Sequence, residues 1–90
     1  MPSHVIYKYP IQIDGPCTLK LPRTARILTV QMQGLMACLW ALHKVADEDV
    51  IDRHFQLVAT GEHFEAQGCT YLGTVQPMPT LVFHLFELLR

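Results

Sequence analysis

The feature that most narrows the fold is the pair Gly34-Leu35, set between two stretches, Arg26 to Gln33 and Met36 to His43, whose residues alternate in character with a period of two. Strands place successive side chains on opposite faces, and a glycine-first two-residue loop suits a type II′ turn whose twist matches the strands it joins. The segment RILTVQMQGLMACLWALH therefore reads as a central hairpin. Counting outward from the turn pairs Gln33 with Met36, Met32 with Ala37, Val30 with Leu39, Leu28 with Ala41 and Arg26 with His43. The face that carries Met32–Ala37, Val30–Leu39 and Leu28–Ala41 is almost wholly apolar. The other face pairs Gln31 with Cys38, Thr29 with Trp40 and Ile27 with Leu42, a mixture suited to cover by water or a partner.

The same period recurs along the chain. Val5, Tyr7, Tyr9, Ile11 and Ile13 alternate with more polar neighbours in a first strand, and Pro10, which has no N–H to donate, assigns that strand to an edge or a bulge. Asp14-Gly15-Pro16 supplies a turn, Cys17 to Leu21 a short strand, and Pro22 its stop. Lys44 to Asp49 loses the alternation and reads as a polar loop or a single helical turn. Ile51 to Ala59 resumes it, with Arg53 the exception on the apolar side. Glu62 to Gln67 is too short for an independent helix. Cys69 to Gln76 forms a further strand, in which Gly73 implies a bulge or a close backbone approach and which Pro77-Met78-Pro79 ends. Thr80 to Glu87 is read as a last strand, with a short helix as the alternative. Six to seven strands with short connections predict an all-β antiparallel sandwich or small barrel, a single domain over residues 1–90 with little helix.

Composition bounds the function. Half of the 90 residues are hydrophobic and 17% are charged, which implies some apolar surface left for another subunit, hence a homo-oligomer. Seven lysines and arginines, spread without a run in a chain of net charge −1, lack the footprint of a duplex nucleic-acid binder. No stretch is long and apolar enough for a membrane helix. Cys17, Cys38 and Cys69 are odd in number and far apart, which predicts reduced thiols in a cytoplasm rather than a zinc site or a disulfide.

The pieces IYKYP (Ile6 to Pro10), LPRTARILTVQMQ (Leu21 to Gln33), CLWAL (Cys38 to Leu42), YLGTVQ (Tyr71 to Gln76) and LVFHLFE (Leu81 to Glu87) resemble a family of small uncharacterised proteins of tailed bacteriophages and prophages. The resemblance spans most of the chain and implies a phage origin, a host-cytoplasm location and an all-β domain; it implies no activity.

Chemistry-bearing residues are sparse. No H-x-H, H-x₃-H or C-x₂-C pair is present, so the five histidines predict no metal site, and His84, between Phe83 and Leu85, reads as a hydrogen-bonded core or interface residue. Cys38 and Cys69 have no base and orienting group nearby in sequence, and Asp47, Glu48 and Asp49 read as a solvated loop. Trp40 is the most informative residue, either filling the core or anchoring a partner, and the core reading is the stronger. Gln31 and Gln33, with the guanidinium groups of Arg26 and Arg53, complete the candidate binding set. The expected function is a binding module without catalysis or cofactor, in a counter-defence role that sequesters a nucleotide signal or blocks a host defence protein. A minor virion or assembly protein is the second class and a small hydrolase the third.

Overall fold

The computed structural model describes residues 2–89 as seven strands: β1 (His4–Ile11), β2 (Pro16–Pro22), β3 (Arg26–Gln33), β4 (Met36–Lys44), β5 (Val50–Ala59), β6 (Cys69–Met78) and β7 (Leu81–Leu88). All pairings are antiparallel and none of the described residues is helical. The strands form two sheets, β1-β4-β3 and β2-β5-β7-β6, which pack face to face as a sandwich rather than closing into a barrel.

The hairpin turns where the alternation predicts. Gly34 has φ of +61° and no described non-glycine residue has a positive φ, so the turn has the signature of type II′, with Leu35 carried at its exposed tip. Strand β4 is central in its sheet, and Ala37, Leu39 and Ala41 on its inner face are all but sealed from solvent. Phe55 and Leu21 from the facing sheet are fully buried, as is Leu85. Burial of each such large side chain stabilises the fold by roughly 1.5–3 kcal/mol.

The register departs from uniform alternation at one point. From Gln33–Met36 to Thr29–Trp40 the pairs are as counted from the turn, but beyond them Ile27 pairs with Ala41 and Arg26 with Leu42, because Leu28 is an extra residue in β3. The expected pairs Leu28–Ala41, Ile27–Leu42 and Arg26–His43 are therefore not formed. The cause lies in Arg26: uninterrupted alternation would have turned its guanidinium into the core opposite His43. The bulge instead turns Ile27 onto the core and leaves Arg26 exposed.

Proline and glycine take the positions that their chemistry demands. Pro10 lies in β1, an edge strand. Strand β6 runs through Pro77 to Met78 instead of ending before it, which an edge strand with a register shift between Val75 and Met78 permits. Gly73 has both expected properties, a register shift beside it and a close approach to Val30 of the other sheet. The two sheets come nearest where β3 lies over β6. At the opposite side of the sandwich, residues of β1 and β2 line a shared open cleft.

Arg53 does point inward, as its place on the apolar row indicated. Its Nε and Nη2 donate to Glu87 Oε2 and Oε1 at 2.7 and 2.8 Å, and Nη1 donates to the carbonyls of Ala25 and Pro22. Both side chains are 12% exposed, so this two-pronged ion pair fastens β5 to β7 and to the β2–β3 connection from within.

Candidate functional site

The register of the three-stranded sheet sets out its outer face row by row. Ile6, Leu42 and Arg26 lie side by side, then Lys8, Trp40 and Thr29, then Pro10, Cys38 and Gln31, and finally Met36 with Gln33. Trp40 thus stands on the outer face, half-buried and outside the core cluster, which corrects the expectation that its ring fills the core. Inward and outward positions alternate along β4, and Leu39 and Ala41 take the inward ones. Four of the five candidate binding residues, Arg26, Gln31, Gln33 and Trp40, come together on this face. The fifth, Arg53, lies in the other sheet with every guanidinium nitrogen committed to Glu87 or to backbone carbonyls.

An apolar strip of Ile6, Leu42, Trp40 and Met36, with the bulged Leu28 at its side, runs across this face. Lys8 reaches diagonally over it, donating from Nζ to Gln33 Oε1 at 2.5 Å. Cys38 lies between those two residues in the register, which accounts for a buried thiol on an outer face. Strands β1, β3 and β4 contain Lys8, Arg26 and Lys44 but no aspartate or glutamate. The ion pairs among the described residues, Lys20–Asp52, Arg23–Asp49 and Arg53–Glu87, all belong to the other sheet and its connections. Among the described residues, Lys8 and Arg26 are thus left without an acidic partner beside exposed apolar side chains.

A second constellation escaped the sequence reading. The pairing of β1 with β4 sets Val5 beside His43 and brings Tyr7 and Tyr9 onto its ring, Tyr7 edge-on at 4.9 Å and Tyr9 parallel at 5.9 Å. Tyr9 Oη and His43 Nε2 are 3.0 Å apart. Burial, and then the nearby Arg53 guanidinium, lower the His43 pKa, opposed in part by Asp47, while burial followed by Tyr7 raises that of the Tyr9 phenol. These residues, with Lys20, Pro22, Lys44, Val45, Asp47 and Val50, line a cleft of about 500 Å³. Nothing local could have shown it, since Tyr9 and His43 are distant in sequence and meet only through strand pairing.

Elsewhere several polar groups bond one another, and no buried side-chain nitrogen or oxygen among the described residues lacks a partner. His84 bonds Thr60 and Thr74 hydroxyls through its two ring nitrogens at 2.8 and 3.0 Å, and Thr74 bonds Tyr71, all on the outer face of the four-stranded sheet. Asp47 accepts from the Thr24 hydroxyl and the Asp49 amide, and Asp52 from Lys20; these bonds hold both carboxyls below their usual range. Hydroxyl–histidine contacts at Ser3–His4 and Thr18–His54 show no carboxylate bonded to the second ring nitrogen among the described residues. No three metal-ligating side chains converge among those residues. Cys17 and Cys38 are buried free thiols and Cys69 is half-buried at the start of β6.

A family profile described as a domain of unknown function, DUF7352, matches residues 2–90. No curated protein and no solved structure matches the chain.

Proposed function

The chain belongs to the DUF7352 family, and from its own surface we propose that it is a non-catalytic binding module that docks a partner protein on the outer face of its three-stranded sheet. The observation that carries the reading is the charge asymmetry of that face: Lys8 and Arg26 flank Trp40, Ile6 and Leu42, and the three strands hold no carboxylate. Such a surface fits a segment that bears apolar side chains between acidic ones, with the indole as the anchor. Two copies set face to face would oppose cations to cations, which makes a second copy of this chain the weaker occupant. Single-stranded nucleic acid stacks on successive aromatic rings, whereas one indole here stands among aliphatic side chains.

The resemblance to phage and prophage proteins supports placing this activity in the cytoplasm of an infected cell, with a host defence protein as the target. A minor virion or assembly component would use the same face against another structural protein. The rings of His4, His43, His54 and His84 each contact a hydroxyl, an arrangement that suits hydrogen-bonded structural roles.

Trp40 is the sole tryptophan, so its fluorescence reports directly from this face. Titration with a synthetic peptide alternating glutamate and leucine should shift the emission, with the effect lost in Lys8→Glu/Arg26→Glu and weakened by salt. A lysine–leucine peptide should do nothing. Equal response to both peptides, or to neither, overturns the proposal; a shift with oligothymidylate selects nucleic acid instead. Self-association that Trp40→Ala abolishes selects a homo-oligomer.

A further inference from the structure

We propose that the cleft between β1 and β2 is a second binding site, which takes a small aromatic anion of the nucleoside monophosphate type, its ring against Tyr7 and its acid group between Lys20 and Lys44. The cleft encloses about 500 Å³, within the range of small-molecule sites. Its floor is His43, only 7% exposed, whose Nε2 is bonded to Tyr9. Nδ1 has no hydrogen-bond partner among the described residues, yet no described side-chain nitrogen or oxygen is both sealed from solvent and unpartnered. The imidazole therefore presents a free ring nitrogen to solvent from a nearly buried side chain.

The Tyr9 hydroxyl and Nε2 satisfy each other in either tautomer of the ring, which leaves Nδ1 as the polar atom that His43 can offer a ligand, as donor or acceptor. It does so beside the aromatic and aliphatic carbon of Tyr7, Val5 and Val45. Tyr7 is 51% exposed, so much of its ring is available for stacking. At the rim Lys44 has no ion-pair partner among the described residues, and Lys20 is held only by an exposed pair with Asp52, which costs little to re-aim. Asp47, the acid in the lining, is already engaged by Thr24 and by the Asp49 amide. The lining thus offers two cations against one carboxylate that is already engaged, and the ring-plus-anion combination uses both the aromatic wall and the charged rim.

Isothermal titration of the full chain with adenosine 5′-monophosphate, adenosine and inorganic phosphate tests this. The monophosphate should bind with Kd below about 1 mM, and the nucleoside and phosphate each roughly tenfold more weakly. Tyr7→Ala and Lys44→Ala should each weaken the monophosphate severalfold while thermal melting of Lys44→Ala stays at the wild-type midpoint. No heat from the monophosphate, or binding unchanged by both substitutions, overturns the assignment. Equal affinity for phosphate alone also overturns it, since the aromatic wall would then have no part. The result is independent of the sheet-face proposal, which these variants do not probe through Trp40.

Discussion

A β-carbon added to Gly73 would stand 2.5 Å from Val30 Cγ1, so glycine at this point of β6 is what lets the two sheets close on each other at β3. Val30 is 4% exposed and its β-branched side chain has little rotamer freedom with which to yield. Gly73→Ala should therefore destabilise the domain by about 1–3 kcal/mol, as overpacking does. Urea unfolding of Gly73→Ala, Val30→Ala and the double variant should show coupling, the double losing less than the sum of the singles by more than about 0.5 kcal/mol. Strict additivity would refute the contact.

Arg53 is a structural residue, and its loss should be read in stability. Arg53→Ala leaves Glu87 without its partner and the Ala25 and Pro22 carbonyls without a donor, at an expected cost of about 3–5 kcal/mol. Replacing both partners by apolar residues, Arg53→Met with Glu87→Leu, should be far milder. Chemical denaturation of the two variants decides this, and a mild Arg53→Ala would deny the pair its role.

Trp40 and Phe55 should respond differently to truncation. Phe55→Ala empties a fully buried position and should cost about 3–5 kcal/mol, whereas Trp40→Ala on the outer face should cost about 1–2 kcal/mol and leave a folded domain. Gln33→Ala removes the far anchor of the Lys8 bridge over Cys38. Alkylation of Cys38 should accelerate in that variant with little change in melting temperature. Unfolding of Trp40→Ala would return the indole to the core.

Acid stability should fall in two stages. The folded state lowers the His43 pKa below its ordinary 6.5, so between the folded and unfolded values the unfolded chain binds more protons, and stability drops as pH falls through that window. Asp47 and Asp52, depressed from 3.8, contribute stability that is present above 3.8 and is lost as the pH falls below it toward their folded values. Unfolding free energy measured from pH 7 to 4.5 should slope downward in the wild type and flatten in His43→Phe. An equal slope in both would assign that stage to another group.

The strands and the turn were legible because they rest on local chemistry: Gly34 at a positive φ, alternation on both sides of it, prolines that fit only edges. The Leu28 bulge was not, since Ile27 and Leu28 are both apolar and either can head the inward row. That ambiguity left the facing of Arg26 undetermined until β4 supplied the pairing. In the register that the Gly34-Leu35 turn sets, Trp40 shares its face with Thr29 and Gln31, so its position was legible and only its burial was misjudged. Arg53 announced itself as a charge on an apolar row, but its partner Glu87 is brought to it only by the β5–β7 pairing. Tyr7, Tyr9 and His43 gave no local signal, because their meeting depends on β1 joining a strand three places later in the chain.

Each of the four edge strands carries an interruption: Pro10 in β1, prolines as the first and last residues of β2, the extra Leu28 in β3, and shifted register with Pro77 in β6. A strand from outside thus meets no long unbroken row of donors and acceptors at any border of either sheet. The apolar strip on the outer face is thus flanked by strand borders ill suited to the addition of another copy edge to edge. Recognition is diverted from backbone pairing, which any extended chain can satisfy, to side chains, which only a matched surface can.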